Sequence, residues 1–137
     1  MTLVVQRASR AAHVPSDATL RKWARATGVK GIVTVRYVAE AESRRLNREF
    51  RGKDYATNVL SFPYAAHPPE GDVVICAPII AREAKAQGKA LRAHHAHMLV
   101  HGLLHLAGLD HERSDDASRM ESRERRILAR LGFGDPY

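Results

Sequence analysis

A chain of 137 residues is long enough to bury a core without disulfide staples and fits one domain, spanning residues 1–137, better than two. With 45% hydrophobic and 27% charged residues it reads as a soluble globular protein. The 22 lysines and arginines against 15 acids give a net charge of +7, which suits a polyanionic partner, although the arginine and alanine richness fits coding bias equally well.

The opening "MTLVVQRASR" is too short an apolar run for a signal-peptide core, and no later stretch is apolar enough to span a bilayer. A cytoplasmic protein that avoids the membrane is expected. Residues 3–6 read as a first strand. Residues 15–28 follow as a helix, with Ser16 as N-cap, Gly28 as stop, and Leu20, Trp23 and Ala24 at helical spacing. In "GIVTVRYV" (31–38), Ile32, Thr34 and Arg36 alternate with Val33, Val35 and Tyr37, as in a strand buried on one side. Residues 39–50 form a helix with acids early and bases late, matching its dipole.

"RGKDYAT" reads as a loop, "NVLSFP" as a strand ended by Pro63, "AAHPPEG" as a turn, and "DVVIC" as another strand. Cys76 is the single cysteine and lies in that apolar run, so it is expected to be a buried, inert thiol. Residues 77–87 form a helix with Pro78 in its first turn and Gly88 beyond its end. A nearly apolar helix covers 91–107, and a last helix covers 115–131 behind Ser114 as cap. Repeats, low-complexity tracts and linkers are absent. Strands and helices mixed without strict alternation predict an α+β fold, with a single sheet of about four strands covered by helices.

The chemistry concentrates in "HGLLHLAGLDH" (101–111). On a helix, residues four apart differ by about 40° in direction, so His101 and His105 share one face of the central helix and reach one metal ion. Gly108 can take the left-handed conformation that ends a helix, and the returning chain can bring in His111 as third ligand. Three neutral imidazoles with a fourth position open describe a catalytic zinc site. The spacing equals that of zinc proteases, but Gly102 stands where those enzymes place the glutamate that activates water. Metal-assisted hydrolysis survives this change and peptidase chemistry does not.

His94, His97, His101 and His105 fall within about 80° on a helical wheel. The first two are expected to pack or cap against the sheet and receive no role. Asp110 and Glu112, flanking the third histidine, are suited to orienting an imidazole or to facing water, and receive no catalytic role.

Taken with "RGKDYATNVLSFP" (51–63), "GDVVIC" (71–76), residues 83–88, "HAHMLVHG" (95–102) and the terminal "DPY", the histidine motif makes the chain resemble the YbeY family of bacterial endoribonucleases. The resemblance runs from about residue 45 onward. It implies a zinc-dependent, single-strand-specific endoribonuclease acting on ribosomal RNA, in 16S rRNA 3′-end maturation and in quality control of the ribosome, with the small ribosomal subunit as partner. It also implies that His101, His105 and His111 hold one Zn²⁺ and that the family's functional arginine falls on Arg51. The chain departs from the family's pattern at Leu109, where an aromatic residue is common, and in the short stretch from Phe62 to Gly71.

The residues fit that chemistry. Cleaving a phosphodiester builds charge on the non-bridging oxygens, which a divalent cation and a guanidinium facing it stabilise. Arg44, Arg45, Arg48 and Lys53 can extend a phosphate-tracking surface or form an ordinary polar face. Arg123, Arg125, Arg126 and Arg130 receive no role. Two other functions stay open: a ribosome-assembly factor that binds RNA around a structural zinc, and a metal-dependent hydrolase of another ester or amide. A narrow closed pocket would favour the latter, and an arginine-lined open cleft would oppose it.

Overall fold

The structure, a computed structural model, describes residues 1–66, 68–108 and 114–137. Among these, four strands and five helices follow in the order β1 (Thr2–Arg7), α1 (Asp17–Ala26), β2 (Ile32–Val38), α2 (Glu40–Arg51), β3 (Val59–Ala66), β4 (Pro69–Cys76), α3 (Ala77–Gln87), α4 (Leu91–Leu106) and α5 (Ser114–Arg130). The expected α+β class, with one sheet of four strands covered by helices, is the observed one.

The strand order is β1-β2-β4-β3, with β1, β2 and β4 parallel and β3 antiparallel at the edge. The period-two pattern of β2 works as expected, since Val33, Val35 and Tyr37 are buried. Together with Val73 and Ile75 of β4 they form one sheet face, covered by α1, α4 and α5 through Leu20, Trp23, Leu99, Leu103 and Leu128. On the opposite face Leu60, Val74 and Cys76 pack with Leu46 of α2 and Ile79. Cys76 is buried, and that burial pushes its thiol further up.

The helix boundaries follow their signals. The Ser16 hydroxyl accepts the Thr19 N–H at the start of α1, and Pro78 sits in the first turn of α3. The hairpin differs from the sequence reading. Pro63 does not end β3, and Pro69–Gly71, read as turn, belong to β4. The edge position explains this, because a strand with only one neighbour tolerates a residue without an N–H. A register shift between Pro63 and Ala65 absorbs the irregularity, as a β-bulge does.

Helix α4 is the central helix, with most of its residues buried. It lies against β3 and β4 so closely that a Cβ at Gly102 would come 2.6 Å from Val73 Cγ1 and 3.2 Å from Val59 Cγ2. The Ser61 hydroxyl donates to the Gly102 carbonyl at 2.8 Å, fixing helix to strand. Gly102 is thus a contact between helix and sheet. A glutamate there would be driven into the sheet, so position 102 has no room for the protease base.

Candidate active site on the α4 helix

His101 and His105 occupy consecutive turns of α4 with ring centroids 5.9 Å apart, both half-buried. They line a cleft of about 280 Å³ along β3, together with Arg51, Lys53, Tyr55 and Asn58. His105 also lines a second cleft of about 430 Å³, with Pro63, Tyr64, Ala65 and Gly108. Helix α4 ends at Leu106, and Gly108 has φ +99°, a region that disfavours side chains. His111, the expected third ligand, lies outside the described residues, as do Leu109, Asp110 and Glu112.

Arg51 is the last residue of α2, with Gly52 in the left-handed cap after it, so it closes a helix where a loop start was expected. Its guanidinium donates to the Ser61 carbonyl at 2.7 Å and stacks over Phe62, 5.2 Å from the ring centroid. Phe50 packs edge-on against the same ring at 5.4 Å. The loop after Arg51 is tied to α2 by buried polar groups. Asn47 Nδ2 donates to the Tyr55 carbonyl at 2.9 Å, and the Ser43 hydroxyl both donates to the Thr57 carbonyl and accepts the Thr57 N–H. Arg44 pairs with Asp54 through two hydrogen bonds, so part of its charge is matched within the protein.

Sequence reasoning missed Glu124 of α5. Its side chain is fully buried and accepts from His101 Nδ1 at 2.6 Å, from His97 Nε2 at 2.9 Å and from the Tyr137 hydroxyl. Burial alone would push this carboxyl up, but the bonds from His101, His97 and Tyr137 outweigh it and hold it down to about 2. An ionised carboxylate only accepts, so His101 donates from Nδ1, and in the neutral ring this places the lone pair on Nε2. A signal existed: Met120, Glu124, Ile127 and Leu128 fall at i, i+4, i+7 and i+8, so Glu124 occupies an apolar-face position.

The other two histidines of the stripe do not face the cleft. His94 is buried with Nε2 2.9 Å from Glu83, and His97 is buried against Glu124. They pack against neighbouring helices instead of the sheet. His97, His101 and Glu124 present one donor atom each within 4.8 Å of one another, a group that could hold a metal ion.

Residues 6–132 match the sequence model of a family described as Endoribonuclease YbeY. The chain belongs to the YbeY family. A relative named Endoribonuclease YbeY from Aromatoleum aromaticum is 54% identical over 143 aligned positions, covering all of this chain and 92% of the relative. A YbeY relative from Pseudomonas putida is 51% identical, covering all of this chain and 93% of its own length. A solution structure from Thermotoga maritima shares the fold at a TM-score of 0.67 and 23% identity, covering 95% of this chain and 89% of that one. Among the described residues, no helix is long and apolar enough to cross a membrane.

Proposed function

We propose that residues 1–137 form one metal-dependent endoribonuclease domain that cuts single-stranded RNA in the cytoplasm, with Zn²⁺ as the metal. The observation that carries this reading is that Arg51 and Lys53 line one cleft with His101 and His105, so the two imidazoles share their cleft with two cations suited to a polyanionic chain. The YbeY relatives' printed name supports RNA as the substrate class.

The donor set fits a zinc ion. Two imidazoles on adjacent turns face the cleft, and a carboxylate accepts the Nδ1–H of one of them, the usual partner of a metal-binding histidine. His101, His105 and His111 would hold the ion, with Glu124 orienting His101. The alternative group of His97, His101 and Glu124 is less suited to catalysis, since Glu124 is fully buried and its contacts to both rings have hydrogen-bond lengths. When bound, the metal supplies Lewis-acid stabilisation to the charge that builds on the phosphate.

The chain's own residues do the remaining work. Arg51, braced by Ser61 and Phe62, presents a fixed guanidinium that neutralises a non-bridging oxygen. Lys53 holds a neighbouring phosphate as a point charge. In the cell, 16S rRNA within the small ribosomal subunit is the proposed target, acted on at its 3′ end and during ribosome quality control.

The test compares wild type and His105→Ala for metal content and for cleavage of a defined single-stranded RNA, with the product ends identified. Metal and cleavage should be lost together, and a 2′,3′-cyclic phosphate would assign the attack to the RNA 2′-hydroxyl. A folded, metal-free His105→Ala that cuts RNA at the wild-type rate overturns the reading. Zinc-containing wild type that binds ribosomal RNA without cutting it points to the assembly-factor function.

A further inference from the structure

The two clefts that meet at His105 each carry an exposed tyrosine. Tyr55, 55% exposed, lines the cleft that holds Arg51 and Lys53. Tyr64, 67% exposed, lines the cleft on the other side. Both clefts follow β3, the first from Asn58 to Ser61 and the second from Pro63 to Ala65. Large rings this exposed give up burial that most tyrosines have, and neither belongs to the two buried clusters of the fold.

The Tyr64 side chain and the backbone that carries Tyr55 are nonetheless positioned. The Tyr64 hydroxyl is held by the Asp72 carboxylate on β4. Tyr64 also sits inside the register shift of β3, where a bulge re-aims a side chain. The Tyr55 backbone is fixed by Asn47, so the loop that carries the ring is anchored to α2. Pre-positioned rings lose little conformational freedom when a planar partner settles on them.

We propose that Tyr55 and Tyr64 are base-stacking platforms on either side of His105, which hold single-stranded RNA across the site along β3. This rests on the ribonuclease reading and deepens it. Arg51 and Lys53 meet the phosphates, while the two rings take one unpaired base each on the two sides of the bond that is cut. Specificity for single strands follows from the same arrangement. A base already paired and stacked in a duplex cannot settle on a tyrosine without breaking its pair, so a duplex forfeits both contacts. Stacking reads the π-face that all four bases share, so the pair selects strandedness with little regard to sequence.

The experiment measures binding of a short single-stranded 2′-O-methyl oligonucleotide, which lacks a free 2′-hydroxyl, by fluorescence anisotropy on the zinc-loaded protein. Steady-state cleavage of the matching RNA is measured in parallel. Tyr55→Ala and Tyr64→Ala should each weaken binding roughly 5- to 100-fold and raise KM with kcat largely kept. Tyr55→Phe should stay within about threefold of wild type, because the ring is retained, and Tyr64→Phe, which keeps the ring but loses the bond to Asp72, should fall between wild type and Tyr64→Ala. Thermal melts establish that each variant is folded. Wild type that binds the strand while folded alanine variants bind it equally well overturns this inference alone. Wild type that neither binds nor cuts single-stranded RNA overturns the ribonuclease reading, and this inference with it.

Discussion

Glu124 and His101 lie 2.6 Å apart, Oε1 to Nδ1, across the contact between α4 and α5. This bond sets which ring nitrogen of His101 carries the proton, and hence how the ring presents its lone pair. Glu124→Gln replaces an acceptor-only group with an amide that must point its NH₂ at one of the donors now held. Zinc affinity should fall about 10- to 100-fold, as measured by competition with a chelating dye. Affinity equal to wild type would reduce Glu124 to a packing role. Glu124→Leu should also cost stability, about 1–3 kcal/mol for each buried donor left without an acceptor, read by urea unfolding.

Gly102→Ala sets two effects against each other. Helix propensity favours alanine by up to about 1 kcal/mol. Forcing a methyl to within 2.6 Å of Val73 Cγ1 costs about 1–3 kcal/mol of overpacking, so the net change should be a lower melting temperature. A double-mutant cycle with Val73→Ala should show the two substitutions partly compensating. Additive losses would mean that the helix–sheet contact is looser than 2.6 Å implies.

His95 is 1% exposed, with Tyr37 Oη 3.0 Å from its Nδ1, and burial pushes its pKa down from 6.5 to about 4. The folded protein therefore takes up this proton later than the unfolded chain does. Its contribution to stability is complete above about pH 6.5 and is lost as pH falls toward 4, up to roughly 3 kcal/mol. Urea unfolding between pH 7.5 and 4.5 should show this decline, and His95→Asn should flatten it. A decline of the same size in His95→Asn would place its origin in another group.

Arg51→Lys keeps the charge but loses the planar fork that spans the Ser61 carbonyl and the Phe62 ring. Cleavage should fall about 10²- to 10³-fold in kcat with zinc content unchanged. Metal loss in parallel would mean that Arg51 supports the fold around the histidines and not the phosphate.

The sequence made some elements legible and hid others for identifiable reasons. Strand β2 could be read because Val33, Val35 and Tyr37 alternate with Thr34 and Arg36, and α1 because Ser16 and Gly28 bracket an apolar stripe. The shared face of His101 and His105 followed from helical geometry. The continuation of β3 past Pro63 was hidden, since proline signals an end unless the strand is known to lie at an edge, which only the assembled sheet reveals. Glu124 was hidden because the partners of a buried acid are far away in sequence. The distance from residue 124 to residue 101 is closed by the packing of α5 on α4, which periodicity does not encode. Gly102 was seen as a missing base, whereas its reason is the approach of Val73.

The rim of the sheet at β3 has an implication for handling the protein. An outer strand invites another chain to add alongside it, and here Pro63 withholds one N–H while the Arg51 guanidinium sits on the carbonyl of Ser61. The side chain proposed to meet the phosphate thus also blunts a sticky border. Trimming Arg51 to alanine uncovers that carbonyl, so an inactive preparation must be checked for self-association by light scattering before its silence is ascribed to chemistry.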